Sequence, residues 1–276
     1  RHIPFRIAAG EGRQVPMLAA LATLLALPEQ RLGLETLFGL LDVPALRARY
    51  HLAAADLPLL RRWATAANIR WGLDAEQRQA FGLPSEWRHT WAFGLQRMLL
   101  GYAVGEGEAW RDIRPLAEVG GLEAALLGHL AEFVAALRRL WERLRKPHDP
   151  ATWAGYLHDI LEDFFCPETE EDLALLAVLR QATRDWLSAC QEAGWNDLQS
   201  DLQNDLLPVS LVREDFLSQV ASPGLARRFF GGGVGFAECQ DLPIFPCRQL
   251  YLLGMNDGDF PRPERRLDFD LMAAHP

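Results

Sequence analysis

The sequence contains a single lysine, Lys146, so all but one of its 28 basic residues are arginines. A phosphate-binding loop of the G-x-x-x-x-G-K-[ST] kind needs a lysine to reach the β- and γ-phosphates of a nucleotide. Lys146 stands in Arg145-Lys146-Pro147 with no glycine loop before it, which excludes ATP hydrolysis through such a loop by these residues. Cysteine is scarce too. Cys166, Cys190, Cys239 and Cys247 form no C-x-x-C pair, which speaks against a zinc site of the usual spacing. Four cysteines without a signal peptide suit a reduced, cytoplasmic protein. The longest apolar stretch, Met17 to Leu27, is too short to span a bilayer, so no membrane partner is expected. No serine stands in a G-x-S-x-G elbow, and neither internal repeat nor low-complexity tract is visible.

What is present is ordinary for a folded chain. Of 276 residues, 49% are hydrophobic and 24% charged, enough to bury a substantial core and to argue against disorder. The chain starts at Arg1 and stops at Pro276 soon after an apolar run, which reads as a piece of something longer. A net charge of −9 argues against autonomous DNA binding, because phosphate contacts call for a basic footprint, though a local basic strip remains compatible with it.

The hydrophobic periodicity is mainly helical. Ile3 to Ala8 reads as a short strand, and Val15 to Leu27 as a packed helix. Helical signals then dominate to about residue 221. Asp56 and Pro58 open one helix, and Thr90 opens another, with Trp91, Leu95, Met98 and Leu99 expected on one face. Gly121 to Arg145 is expected to be the longest helix, with Leu122, Leu126, Leu130, Phe133, Leu137 and Trp141 in one stripe. Asp149-Pro150 supplies cap and first residue of the next. A further long helix runs from about Glu170 to Ala193, its acids in the first turn. After Pro223, Val234 to Ala237 and Gln249 to Leu253 read as strands, the second apolar enough to be buried on both faces. A strand and helix, a helical block and a return to strands suggest an α/β domain interrupted by a helical insertion.

Candidate chemistry is thin. Asp268 and Asp270 have no lysine near them in sequence, as a two-metal nuclease would commonly keep. His158 and Glu162 lie four apart on a helix, but a solvated face outweighs a metal site there. His129 reads as a histidine at the edge of the core. No catalytic residue, metal ligand or cofactor is expected. Two arginine groups could touch phosphate. For Arg138 to Lys146, complementarity to the helix dipole outweighs DNA contact. Arg227 and Arg228 with Arg262, Arg265 and Arg266 are closer candidates, because ligands gather at the strand-end loops of α/β domains. Asp270 in the same segment could accept a hydrogen bond from a cytosine amino group.

Three segments, in order, carry a resemblance. They are Ile69-Arg70-Trp71-Gly72-Leu73-Asp74, then His89 to Leu95 with Arg97 to Tyr102, then Leu252 to Gly258 with Phe260-Pro261-Arg262. With Ile3-Pro4-Phe5 and Asp270-Leu271-Met272, they resemble the gamma subunit of bacterial exodeoxyribonuclease V, the RecC family of the RecBCD complex, over essentially the whole chain.

The resemblance implies a superfamily 1 helicase-like fold without its ATPase. The fold class expected is mainly α with a smaller α/β part. Residues 1–30 and 226–276 would form a partial RecA-like (2A-like) domain, and residues 31–225 a helical, 2B-like insertion. Where helicases carry T-L-H-x-x-K-G-L-E-[FW], Glu238 to Cys247 has neither the lysine nor the Gly-Leu-Glu, while Gly254, Gly258 and Pro261 remain. The resemblance further implies a non-catalytic role with RecB and RecD type subunits, DNA ends and single strands as partners, and Chi recognition for the whole protein. Half of an active superfamily 1 helicase and a plain helical interaction module are the competing readings.

Overall fold

The computed structural model describes residues 5–8, 15–195, 206–221, 234–237 and 249–253. Ten helices of six residues or more are described, with one short parallel pair of strands. Strand β1 (Phe5–Ala8) leads to α1 (Pro16–Leu25), α2 (Leu34–Leu41), α3 (Pro44–Arg49) and α4 (Leu57–Ala66). The short α5 (Ala75–Ala80) precedes α6 (Trp91–Val104), α7 (Ala124–Leu144), α8 (Pro150–Phe164), α9 (Glu170–Glu192) and α10 (Val209–Ala221). Strand β2 (Val234–Ala237) then returns to β1, parallel to it and in register Phe5↔Val234 through Ala8↔Ala237. The described fold is thus mainly α, and the first and last described elements bracket the helices. No described helix is long and apolar enough to cross a membrane.

Several helix starts follow from local chemistry. The Thr90 hydroxyl accepts from the Phe93 N–H, Asp149 accepts from the Thr152 N–H, and Thr169 accepts from the Asp172 N–H. Each satisfies a donor that the first helical turn leaves without an internal partner. Proline at the first position of α1, α3 and α8 removes such a donor altogether.

One continuous core joins α1 to α10. Trp63, Trp91, Trp141, Trp153 and Trp186 are fully buried in it. Three of the ring N–H groups reach across sequence: Trp91 donates to the Leu32 carbonyl (3.0 Å), Trp153 to the Leu207 carbonyl (2.7 Å) and Trp186 to Asp215 (2.9 Å). A buried indole keeps its apolar area in the core and satisfies its one donor, so these bonds fix neighbouring segments as well as packing them.

Three expectations are corrected. The longest described helix is α9, with 23 residues against 21 in α7, because residues 121–123 form a separate 3-10 turn before α7. Leu99 is 46% exposed while Trp91, Leu95 and Met98 are buried, so the inward stripe of α6 is narrower than expected. Residues 249–253 form no strand, and Leu250, Tyr251, Leu252 and Leu253 are all exposed rather than buried on both faces. A strand needs neighbours for its N–H and C=O groups. Among the described residues β1 and β2 pair only with each other, and no strand pairs with 249–253.

Candidate functional site

Three loops meet around α5: residues 30–33 before α2, residues 67–74 after α4, and residues 81–90 before α6. Backbone bonds tie them together. The Gly72 N–H donates to the Arg31 carbonyl (2.7 Å), Trp91 N–H to Gly72 (2.9 Å), and Arg70 N–H to His89 (2.9 Å). Gly72 takes φ +85°, a left-handed conformation that favours glycine, and it sits against the Arg78 side chain.

Two buried side chains of α5 hold this junction. Gln77 accepts from the Leu73 N–H (2.7 Å) and donates to the Gln30 carbonyl (3.3 Å), linking the first loop to the second. Arg78 donates to the carbonyls of Glu86 (2.9 Å), Arg88 (2.8 Å) and Trp71 (3.0 Å), linking the second to the third. Its guanidinium also lies over the Trp71 ring, 4.5 Å from the centroid. Burial holds the Arg78 guanidinium below its usual range, and the charge of Glu86 acts the other way. Three carbonyl acceptors compensate the desolvation that an isolated buried cation would suffer.

The backbone here is strained. Leu32, Asn68 and His89 occupy left-handed conformations, with φ of 47°, 60° and 63°. Such conformations cost about 1 kcal/mol or more for a residue with a Cβ, and they persist where the surroundings over-determine them. The His89 ring nitrogen Nδ1 lies 3.0 Å from the Asn68 carbonyl, so one strained residue is fastened to another. Beneath, Gly94 faces Ile69 so closely that a Cβ would overlap its side chain.

Arg31, Arg70 and Arg88, one from each loop, are exposed, and Trp71, next to Arg70 in sequence, is half-buried. Arg31 lies 5.6 Å from the Trp71 ring centroid. The carboxylates flanking the loops are engaged elsewhere. Glu29 pairs with Arg213, Glu35 with Arg61, Asp74 with Arg138, and Glu76 with both Arg138 and Arg145. Glu86 accepts from the Arg88 backbone N–H (2.9 Å).

The six residues singled out from sequence, Arg227, Arg228, Arg262, Arg265, Arg266 and Asp270, lie outside the described residues. The other arginine group falls within them. Arg138 pairs with Asp74, Glu76 and Glu142, Arg143 with Asp159, and Arg145 with Glu76. Burial acts to lower Arg138, but the bond to Glu142 and the charges of Asp74, Glu142 and Glu76 outweigh it and raise it. Arg138, Arg143 and Arg145 are thus held by carboxylates, while the exposed Arg139 and Lys146 hold none among the described residues. His158 is exposed and Glu162 pairs with Arg180, so the two do not form a metal pair. Among the described residues no three His, Cys, Asp or Glu side chains gather to hold a metal. His129 is half-buried, its ring 5.7 Å from that of His51, as expected at a core edge.

The cluster around Arg78 was missed by sequence reasoning, although two of its loops carry segments used for the resemblance. The available signal was a pair of loop dipeptides, Arg70-Trp71 and Trp87-Arg88, each joining a cation to an aromatic ring.

Comparison with known proteins follows the same segments. The family model for the fourth domain of RecBCD enzyme subunit RecC matches residues 14–224. The chain is 35% identical over 280 residues to RecBCD enzyme subunit RecC of Escherichia coli (strain K12), covering 100% of this chain and 24% of the relative. It is 33% identical to the Haemophilus influenzae protein of that name, with 99% and 23% covered, and 29% identical to that of Mycobacterium tuberculosis, with 95% and 23%. The chain therefore spans about a quarter of the length of the curated relatives it matches.

Proposed function

The chain belongs to the RecC family, and from that membership we propose that it is part of a non-catalytic subunit of a helicase–nuclease complex that processes DNA ends in double-strand break repair and homologous recombination. The observation that carries this reading is the match to the RecC fourth domain across residues 14–224. RecB and RecD type subunits would be its partners, with a forked duplex end and separated single strands as its DNA, in the cytoplasm. Chi recognition would belong to the whole protein.

Within that subunit, residues 31–225 would be a 2B-like helical insertion, and residues 1–30 with 226–276 part of a RecA-like, 2A-like domain. The parallel pairing of β1 with β2 supports this reading, since parallel strands require a crossover between them and everything from α1 to α10 lies in that crossover.

The test uses the full-length protein and its RecB and RecD type partners from one organism. The protein alone is expected to hydrolyse no ATP, to co-purify with both partners, and to be required for unwinding of a blunt duplex. ATP hydrolysis by the protein alone, or unwinding that is indifferent to it, would overturn the proposal.

A further inference from the structure

Three exposed guanidinium groups of the three-loop cluster, those of Arg31, Arg70 and Arg88, hold no acceptor among the described residues. A missing carboxylate does not by itself set them apart: among the other exposed arginines Arg138 and Arg145 hold carboxylates, whereas Arg62, Arg111, Arg114, Arg139 and Arg184 hold none among the described residues, so the grouping of these three is what distinguishes them. Their grouping is enforced by the backbone, because Arg70 bonds the neighbour of Arg88, Gly72 bonds Arg31, and Arg78 bonds the Arg88 carbonyl. Two of the left-handed residues, Leu32 and His89, directly follow Arg31 and Arg88. Strained backbone and a buried crosslinking arginine thus fix the stems of these cations in a chain whose net charge is −9. Glu29, Glu35, Asp74 and Glu76 are paired with other arginines, and Glu86, bonded to the Arg88 N–H, offsets one cation, so the local balance is positive against an acidic whole.

We propose that Arg31, Arg70 and Arg88 form a contact for the phosphate backbone of a nucleic-acid strand. The inference rests on the reading of the chain as part of a DNA-processing subunit and names a surface for it. An arginine presents a planar fork that matches phosphate oxygens, and cations with no internal partner lose no existing ion pair when phosphate arrives. The Trp71 ring is half-buried under Arg78, so the guanidinium groups make the contact, and the regularly repeated phosphates of a nucleic-acid strand offer them successive anions. Single-stranded and duplex DNA share the phosphate chemistry.

The experiment compares the full-length protein with its Arg31→Ala/Arg70→Ala/Arg88→Ala variant in binding to labelled oligo(dT) and to a blunt duplex across a salt series. Each phosphate contact contributes roughly 0.7 (single strand) to 0.9 (duplex) to the slope of log affinity against log salt, so loss of three should lower the slope by about 2 to 3. Affinity at low salt should fall by roughly tenfold or more. An effect confined to oligo(dT) assigns the contact to a single strand, and one confined to the duplex assigns it to paired DNA. Either supports the proposal.

Unchanged affinity and slope in a folded variant would overturn it. So would loss of co-purification with a RecB type partner while DNA binding stays intact, which identifies an acidic protein surface instead. Should the triple variant unfold, Arg70→Glu and Arg88→Glu carry the test singly: each is expected to weaken binding severalfold, and no change in either overturns the proposal. A wild-type protein that neither binds DNA nor joins its partners would sink the functional reading itself, a result separable from failure of this surface alone.

Discussion

The guanidinium of Arg78 lies over the Trp71 ring, 4.5 Å from its centroid, and donates to the carbonyl of the same residue at 3.0 Å. One side chain thus grips Trp71 by ring and backbone, while its other terminal nitrogen bonds Glu86 and Arg88 in the next loop. The shape of the arginine fork makes this possible, since a lysine ammonium cannot serve three carbonyls spread in one plane around a ring.

Replacement of Arg78 should therefore be costly. Arg78→Ala leaves three carbonyls without their donor and is expected to lower stability by about 3 kcal/mol, with Arg78→Lys recovering only part. Urea unfolding of both variants measures this. A loss below about 1 kcal/mol for the alanine variant would show that water replaces the guanidinium freely.

Two glycines in helices should respond in opposite directions. In α6, a Cβ on Gly101 would overlap the Leu116 carbonyl, so Gly101→Ala must push the residue 116 loop away and is expected to cost about 2 kcal/mol or more. Gly128 in α7 has open space at the same position, and Gly128→Ala should gain about 0.5–1 kcal/mol from reduced chain entropy. Thermal unfolding of the pair checks both signs.

The contrast between caps and loops shows what could be read in advance. Thr90 and Asp149 bond amides three residues away, so sequence alone places them, as it places β1 and β2 by their alternation. Arg78 bonds carbonyls at 71, 86 and 88, and carbonyls are present at every residue, so nothing in the residue types marks them as its partners. Exposure was illegible for a similar reason. Arg138 and Arg88 are both exposed arginines, and only the fold brings Asp74 to the first and leaves the second without a carboxylate among the described residues. Leu250 to Leu253 carry strand-like chemistry, but a strand exists only beside another, and that neighbour is not a property of the segment.

Asp149 ties α8 to pH. Its carboxylate accepts from the Thr152 hydroxyl (2.6 Å) and N–H (2.9 Å), and these bonds hold it below its usual range. A depressed folded value means that the cap contributes fully above the ordinary carboxylate range and is lost as pH falls through the depressed one. Asp149→Ala should cost about 1 kcal/mol at neutral pH and little in acid. Asp149→Asn should keep most of the cap and remove its pH dependence. A urea midpoint followed against pH separates the three proteins; parallel curves for wild type and alanine would refute the assignment.

Tyr50 makes the corresponding prediction on the alkaline side. Its hydroxyl donates to the Asp163 carbonyl (3.0 Å), and its ring packs against Phe133 and Phe164, joining α3 to α7 and α8. Burial raises the phenol well above its usual range, aided by Asp163 and Glu132 and opposed by Arg49 and Arg139. A group whose folded value is raised binds more protons when folded than unfolded once pH exceeds the unfolded value. Its stabilisation is therefore intact below about 10 and is lost as pH climbs beyond it. Tyr50→Phe removes one hydrogen bond, about 1 kcal/mol at neutral pH, and also removes the ionisable group. The wild-type advantage should shrink and then reverse as pH rises past 10, because only the wild type must either keep a buried phenol protonated or bury its anion. Denaturant midpoints of the two proteins should cross on the alkaline side. Curves that stay a fixed distance apart would show that the Tyr50 hydroxyl is solvated in the folded protein.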